Sequence, residues 1–321
     1  MKHYLPYLLF CALFPTYASA NFVENTDITD YLNQLIKNQK SVSIPNGNYK
    51  IDANKAIRPQ NGSEIKLSDK TVLNVIPNKN GSYRVFNIKN VSNVKISGGT
   101  LVGDKYSHLG TSGEWGMGIE IRDAQNIFIS NINIDKMWGD AIYIGTSGKN
   151  STHNINLNNI KMNDNRRQGL SIISVNKLIA TKITASNTSG ASPASGIDIE
   201  PNNGSTVIKD IILEDISTSN NAGAGIQIGL SRYANSTYPF NISIKRHTDK
   251  NSEYGILMGA INKNPAGSIS MSSLNYKQSR SPSCFNSWTN NKVLVNISGP
   301  LEYSTVRACL GHQKSQSFRF N

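Results

Sequence analysis

The sequence predicts an all-β fold, a right-handed parallel β-helix with a short N-terminal capping α-helix. The first observation is a repeated apolar triplet, in which the second residue lies two positions after the first and the third lies three positions further on. An apolar period of two residues is typical of a β-strand that buries one face. Complete copies of the triplet begin at Ile127, Ile155, Leu178, Ile211 and Ile269.

A second pattern lies between copies of the first and reads Gly or Ala, apolar, variable, apolar. Its first apolar members are Ile119, Ile142, Leu170, Ile197, Ile226 and Ile256. Their spacing falls within the range of roughly 20–50 residues that repeat proteins use. Each coil is therefore predicted to carry at least two short strands, which pair with their equivalents in the neighbouring coils. Helical repeats are the alternative class, but these segments are rich in β-branched residues and asparagine.

The N-terminus is predicted to be a signal peptide over residues 1–20. A polar start, Lys2-His3, precedes an apolar run over residues 5–14 that is too short to span a bilayer. The tripeptide at 18–20, Ala-Ser-Ala, supplies a small-residue cleavage pattern. We expect a secreted or periplasmic protein without a membrane span, in which residues 21–321 form a single domain. A membrane anchor is the alternative interpretation of the apolar run.

The capping helix is predicted over residues 27–39, with Asp27 as its N-cap. Its apolar residues follow the spacing of an amphipathic helix; they are Ile28, Tyr31, Leu32, Leu35 and Ile36.

Two cysteines remain after removal of the signal peptide, Cys284 and Cys309. They are separated by about one coil, and equivalent positions on neighbouring coils lie about 4.8 Å apart. An exported protein with two cysteines at that spacing is predicted to form one disulfide. Two buried free thiols are the alternative.

The formal net charge of +12 predicts attraction to anions such as acidic glycans, nucleic acid or acidic lipid. Export makes nucleic acid the least expected partner. A surface kept soluble by its positive charge is the simplest alternative.

With the capping helix, the strand segment Val-Ser-Ile-Pro-Asn-Gly-Asn-Tyr at 42–49 and coils of the form Gly-Ile-Asp-Ile at 196–199, the chain resembles the pectin-lyase-like right-handed β-helix superfamily. The resemblance covers nearly all of residues 21–321. It implies a polysaccharide-acting protein, because the superfamily includes pectate lyases, polygalacturonase-type hydrolases, alginate lyases and epimerases, and phage tailspikes. The Gly-His-Gly motif of the polygalacturonase type and the Asp-Pro-His motif of the epimerases are absent, so the resemblance implies no particular catalytic residue.

The variable positions of the second pattern are predicted to form columns on the outer face of the solenoid. One column is Glu120, Tyr143, Ser171, Asp198, Gln227 and Leu257, and the next is Arg122, Gly145, Ile173, Glu200, Gly229 and Gly259. Asp198 and Glu200 are thus predicted to be adjacent exposed carboxylates. The small residues at 145, 229 and 259 are predicted to leave room for a groove beside Glu200.

The turns before these strands add further candidates for chemistry. We predict that the catalytic residues are Asp198, Glu200, Asp140, Arg166 and Arg167. We predict that substrate is bound by Trp115, Trp138, Tyr143, Gln168, Gln227, His108 and Glu114. Each candidate also has a purely structural alternative. Asp198 and Glu200 would be solvated carboxylates on a polar face, and Arg166 and Arg167 would only relieve their repulsion. Asp140 would only form a turn.

Two mechanisms fit these residues. In a glycoside hydrolase, Asp198 with Glu200 or Asp140 would act as the carboxyl pair that flanks the glycosidic bond. In a lyase or epimerase, Arg166 or Arg167 would neutralise a uronate or act as base. No cofactor is required, although Asp198 and Glu200 could hold a Ca²⁺ ion. The predicted function is cleavage or modification of an acidic polysaccharide; the alternative is a non-catalytic glycan-binding or adhesive surface protein. The sequence leaves the oligomeric state open.

Overall fold

The computed structural model describes residues 21–148, 151–233, 236, 238–259, 266–286, 292–299, 306–308 and 318–320. The predicted signal peptide lies outside these residues. Within the described part of the chain, no helix is long and apolar enough to cross a membrane.

The predicted N-terminal helix is present as α1 (Thr29–Asn38). Its residues Leu32 and Ile36 are buried and join the hydrophobic core. Ile28, not Asp27, occupies the N-cap position, so the predicted N-cap is displaced by one residue. Asp27 still serves the helix start, because its Oδ1 accepts hydrogen bonds from the backbone N–H (2.9 Å) and the hydroxyl (2.6 Å) of Thr29. The capping role of α1 stays a prediction.

The described residues otherwise form short β-strands and one 3₁₀ turn at Ser231–Tyr233. In chain order the strands are β1 (Ser41–Ile44), β2 (Gly47–Ile51), β3 (Glu64–Leu67), β4 (Thr71–Val75), β5 (Arg84–Lys89), β6 (Ser92–Ser97), β7 (Thr100–Val102), β8 (Met117–Arg122), β9 (Gln125–Asp135), β10 (Asp140–Gly145), β11 (His153–Asn163), β12 (Gln168–Ile172), β13 (Val175–Ser186), β14 (Ser195–Ile199), β15 (Ile208–Ser219), β16 (Ala224–Gly229), β17 (Phe240–Lys250), β18 (Tyr254–Gly259), β19 (Gly267–Ser272), β20 (Asn275–Gln278), β21 (Ser281–Asn286), β22 (Val293–Ser298), β23 (Val306–Ala308) and β24 (Phe318–Phe320).

These strands form two sheets, and neighbouring strands run parallel within both. Sheet A follows the order β1-β3-β6-β9-β11-β13-β15-β17-β19-β22-β24, with β2, β4, β7 and β20 attached to it. Sheet B follows the order β5-β8-β10-β12-β14-β16-β18-β21-β23. From β8 to β19 the chain alternates between sheet B and sheet A, and each strand pairs with strands of the adjacent coils. This is the stacked arrangement of a parallel β-helix.

The register within sheet A confirms the repeat predicted from the apolar triplets. Ile155 pairs with Ile127 on one side and with Leu178 on the other, and Leu178 pairs with Ile211. These side chains are buried in one continuous core that runs through the interior of the solenoid.

The long strands of sheet A bend where a residue adopts a left-handed backbone conformation. The bend residues have φ between 54° and 58°, and they are Asn131, Asn159, Lys182, Asp215 and Arg246. Asparagine tolerates this conformation better than most residues, and its amide can bond to the next coil. Asn159 accordingly donates from Nδ2 to Oδ1 of Asn131 at 2.7 Å.

The apolar core column is interrupted at His247, which pairs in register with Ile216. His247 is fully buried, and its ring nitrogens lie 2.8 Å from Thr218 Oγ1 and 2.8 Å from Tyr276 Oη. Thr218 donates its hydroxyl proton to Asp249 Oδ1 at 2.7 Å. Thr218 must therefore accept from His247 Nε2–H, and His247 Nδ1 must accept from the hydroxyl of Tyr276.

The predicted disulfide involves one described cysteine. Cys284 is buried in β21, where it pairs in register with Leu257 of β18. Cys309 lies outside the described residues, so the disulfide stays a prediction.

Candidate functional site

The outer face of sheet B brings together the residues that the sequence places in columns. Glu120 pairs with Tyr143, Tyr143 with Ser171, and Ser171 with Asp198. Asp198 pairs in turn with Gln227. The predicted column is therefore present in the predicted order, with one residue per coil.

Most of this face is buried, which corrects the prediction that its carboxylates are exposed. Asp140, Ser171 and Asp198 are all 0 % exposed, while Glu200 is half-buried. The reason is that side chains from the turns and from adjacent coils fold over the sheet and form hydrogen bonds with the column. The sequence pattern separates inward from outward positions but does not show what covers the outward ones.

Asp140 begins β10 and is held by the following coil. Its Oδ2 accepts hydrogen bonds from Ser171 Oγ at 2.8 Å and from Arg167 Nη1 at 3.1 Å. Burial raises the pKa of Asp140 from 3.8 to about 6, although Arg167 and Ser171 act in the opposite direction. Asp140 is therefore a carboxyl group whose protonation changes not far below neutral pH.

Asp198 lies on β14, and Glu200 follows the end of that strand. Gln168 donates from Nε2 to Oδ2 of Asp198 at 3.0 Å, while its own Oε1 accepts from the backbone N–H of Ser195 at 2.9 Å. Oδ1 of Asp198 is buried and meets no hydrogen-bond donor. Burial first, and the charge of Glu200 next, raise the pKa of Asp198 well above its usual range. Asp198 therefore keeps its proton to a higher pH than an exposed aspartic acid does.

Arg167 connects Asp140 to Glu114, which lies in the long turn before β8. Its Nε lies 3.4 Å from Glu114 Oε2, and its Nη1 forms the ion pair with Asp140. Glu114, a residue of this turn, therefore lies beside the same face.

The guanidinium of Arg166 points to a different neighbourhood from that of Arg167. It lies 4.0 Å from the ring centroid of Trp138 and donates to the carbonyl oxygen of Gly113 at 3.0 Å. His108 stacks on the same indole with a centroid distance of 3.9 Å. The ring of Trp138 is thus in contact with protein groups, whereas Trp115 is exposed.

Tyr143 overturns part of the predicted groove. A methyl group at Gly145 would meet Cε1 of Tyr143 at 2.6 Å, so the phenol ring occupies the space over this glycine. At Gly229 the nearest atoms to an added methyl group are Cγ of Glu200 at 3.8 Å and Nε2 of Gln227 at 3.9 Å. The room that the small residues leave is therefore on the Gly229 side of Glu200 and not at Gly145.

The residues missed by sequence reasoning are Arg84 and the pair Glu120–Arg122. Glu120 accepts hydrogen bonds from Arg84 Nε at 2.7 Å and from Arg122 Nε at 2.6 Å. The outward columns contained the signal, because Glu120 and Arg122 occupy the same two columns as Asp198 and Glu200. No described group of three or more His, Cys, Asp or Glu residues is arranged to hold a metal ion. The Ca²⁺ ion at Asp198 and Glu200 stays a prediction.

No family model matches the sequence. Two Bacillus subtilis (strain 168) proteins are related to parts of it: the uncharacterized protein YclG, 28% identical over 206 residues, and the SPbeta prophage-derived uncharacterized protein YorA, 32% identical over 125 residues. The matches cover 54% and 33% of this chain, but only 35% of YclG and 21% of YorA.

Several solved structures share the fold at low sequence identity. The tailspike protein gp49 of Acinetobacter baumannii bacteriophage Fri1, a capsular polysaccharide depolymerase, has a TM-score of 0.59 at 13% identity; the likeness covers 86% of this chain and 58% of that one. The Streptococcus pneumoniae surface protein and adhesin PfbA has a TM-score of 0.57 at 13% identity, covering 88% and 78%. The endo-xylogalacturonan hydrolase from Aspergillus tubingensis has a TM-score of 0.56 at 11% identity, covering 94% and 90%. Together with the two parallel sheets, these likenesses show that the chain has the parallel β-helix fold of the pectin-lyase-like proteins.

Proposed function

We propose that the protein is a carbohydrate-active enzyme that hydrolyses an acidic polysaccharide at the Asp198–Glu200 pair. The observation that carries this proposal is the placement of two carboxyl groups at the end of β14, Asp198 fully buried and Glu200 half-buried, with the burial of Asp198 and the charge of Glu200 raising the pKa of Asp198. Two neighbouring carboxyl groups in different environments can divide the roles of acid and base. Glycosidic bonds are cleaved by that combination.

The two members have different exposure, which gives them different roles. Glu200 is the member that substrate can reach, so it donates the proton to the glycosidic oxygen as the bond breaks. Asp198, whose pKa is raised, resupplies this proton to Glu200, and Gln168 fixes the orientation of Asp198 through Oδ2. Water that attacks the anomeric carbon returns a proton to the pair, so the cycle is balanced.

A lyase mechanism receives less support from the arginines. Arg167 is engaged by Asp140 and Glu114, and Arg166 is engaged by Trp138 and Gly113. Neither guanidinium stands free beside Glu200 to neutralise a uronate carboxylate.

The test is incubation of the protein with uronate polymers and with a neutral polymer, followed by measurement of reducing ends and of the ultraviolet absorbance of unsaturated uronates. We expect new reducing ends without that absorbance, and their loss in Asp198→Asn and Glu200→Gln. The matched control is Asp215→Asn, which removes an exposed carboxylate of sheet A that pairs with Arg246. Normal turnover by both site variants would refute the assignment. Absorbance of unsaturated products would show that the polymer is cleaved by elimination and not by hydrolysis.

The second candidate is a non-catalytic glycan-binding or adhesive protein. The observation in its favour is that Asp140 and Asp198 are 0 % exposed and that their hydrogen-bond partners belong to the protein. The fold is also found in both a depolymerase and an adhesin. Binding on a glycan array, together with no released product from any polymer, would favour this candidate.

A further inference from the structure

A group of basic side chains lies on the outer face of sheet B, several coils before Glu200. We call Arg84, Lys89 and Arg122 the basic cluster. Arg84 and Lys89 belong to β5, Arg122 belongs to β8, and Lys89 pairs in register with Arg122. Lys89 and Arg122 therefore continue the column that carries Glu200, and Arg84 lies beside them.

One carboxylate, Glu120, lies among these cations. Its side chain is 3 % exposed, whereas those of Arg84 and Arg122 are 25 % and 21 % exposed. Glu120 thus forms ion pairs with two guanidinium groups from beneath, and a single negative charge cannot neutralise both. Because Lys89 is also exposed, the net charge that this part of the face presents to solvent is positive.

Arg122 is held in a fixed orientation. Its Nη1 donates to the carbonyl oxygen of Thr146 at 3.2 Å, and its guanidinium stacks 4.2 Å from the ring centroid of Tyr143. A planar guanidinium that is already ordered loses little entropy when it binds a carboxylate with two parallel hydrogen bonds. This arrangement favours an anionic group of defined geometry over a diffuse counter-ion.

Three coil steps separate Arg122 from Glu200, through Gly145 and Ile173. At about 4.8 Å per coil the separation is about 14 Å along the solenoid axis. We propose that the basic cluster binds a uronate carboxylate of the same polysaccharide chain that reacts at Glu200, several sugar units away. The inference rests on the proposed function for its substrate class, and it orients the bound chain parallel to the solenoid axis.

The first test measures the binding of oligogalacturonates of increasing length by calorimetry. Arg122→Gln and Arg84→Gln are expected to weaken the binding of long oligomers about tenfold. Oligomers too short to reach from Glu200 to the basic cluster are expected to bind the variants and the wild type equally. The control is Arg246→Gln, which removes the same charge from sheet A and should leave both affinities unchanged.

A second kind of variant, Glu120→Gln, is expected to strengthen the binding of long oligomers. Glu120→Gln removes the carboxylate that competes for the two guanidinium groups, so long oligomers should bind about threefold tighter. If the arginines serve only to neutralise Glu120, this variant gives no gain in affinity. Thermal unfolding of each variant, followed by circular dichroism, separates a loss of binding from a loss of folding.

The outcomes distinguish this inference from the proposed function. Wild-type binding without cleavage refutes the proposed hydrolysis, while the length-dependent effect of Arg122→Gln still supports the basic cluster. Cleavage with unchanged affinity in Arg122→Gln and Glu120→Gln overturns the basic cluster alone. Tighter binding of sulfated dextran than of oligogalacturonate overturns the assignment to a carboxylate, and no binding of either overturns the inference entirely.

Discussion

The ring of Tyr143 lies over Gly145, two residues further along the same strand, and stacks against Arg122 of the preceding coil. Gly145→Ala would place a methyl group 2.6 Å from Cε1 and 3.0 Å from the hydroxyl oxygen of Tyr143. The ring must then move, and we expect a loss of about 1–3 kcal/mol in the free energy of unfolding.

The matched control is Gly229→Ala, in which the nearest atoms lie 3.8 Å and 3.9 Å from the added methyl group. Urea unfolding should show that Gly229→Ala costs much less than Gly145→Ala. Equal losses would contradict the placement of the Tyr143 ring.

Asp140 is expected to give the protein a pH-dependent stability. Its pKa is raised from 3.8 to about 6, so the folded state retains a proton that the unfolded state releases in this interval. The contribution of Asp140 is fully present below pH 3.8 and is lost as the pH rises to about 6. The difference corresponds to about 3 kcal/mol. Asp140→Asn should remove this slope, as measured by urea unfolding across the interval; an unchanged difference between the two proteins would show that Asp140 is ionised throughout.

His247 is expected to act in the opposite direction. Burial lowers its pKa from 6.5 to about 3. The unfolded state therefore binds a proton at His247 below pH 6.5, whereas the folded state binds it only near pH 3. Stability from this group is therefore lost as the pH falls through that range. His247→Gln should reduce the acid sensitivity while lowering stability at neutral pH, because Tyr276 and Thr218 lose their partner. An acid unfolding curve that does not change in shape would contradict this assignment.

The hydrogen bond between Asn154 of β11 and Asn126 of β9 is expected to stabilise the stacking of these strands. Asn154 has a φ of 55° and donates from Nδ2 to Oδ1 of Asn126 at 2.6 Å. Asn154→Ala loses the hydrogen bond and places a Cβ in a left-handed conformation, which costs about 1–2 kcal/mol. Asn154→Gly loses only the hydrogen bond and should be less destabilising, as a comparison of the two variants by urea unfolding would show. Equal losses for Ala and Gly would mean that the backbone conformation at this position contributes nothing.

The sequence predicts the register between neighbouring coils, because a shift of one residue would move the apolar side chains from the core to the outer face. Ser171 and Asp198 are neighbours in the structure as the pattern requires. The burial of Asp198 could not be predicted, because it depends on Gln168 and on side chains from turns with no periodic pattern. The position of the Tyr143 ring depends on its side-chain χ angles, which the sequence pattern does not determine. Of the basic cluster, only Arg122 was in the predicted columns; Arg84 and Lys89 belong to a coil before them, and the net positive charge of the cluster follows only from the burial of Glu120.

The hydrogen-bonded chain from Tyr276 through His247 and Thr218 to Asp249 makes neighbouring coils non-interchangeable. Each apolar rung of the core can stack on any other apolar rung, so an alignment shifted by one whole coil would bury the same kind of surface elsewhere in the solenoid. At His247 such a shift would separate the imidazole from Thr218 and Tyr276 and leave a buried donor and a buried acceptor without a partner. Loss or duplication of a single coil is therefore tolerated least in this part of the molecule, and any shortened relative that folds must keep these four residues together or replace them together.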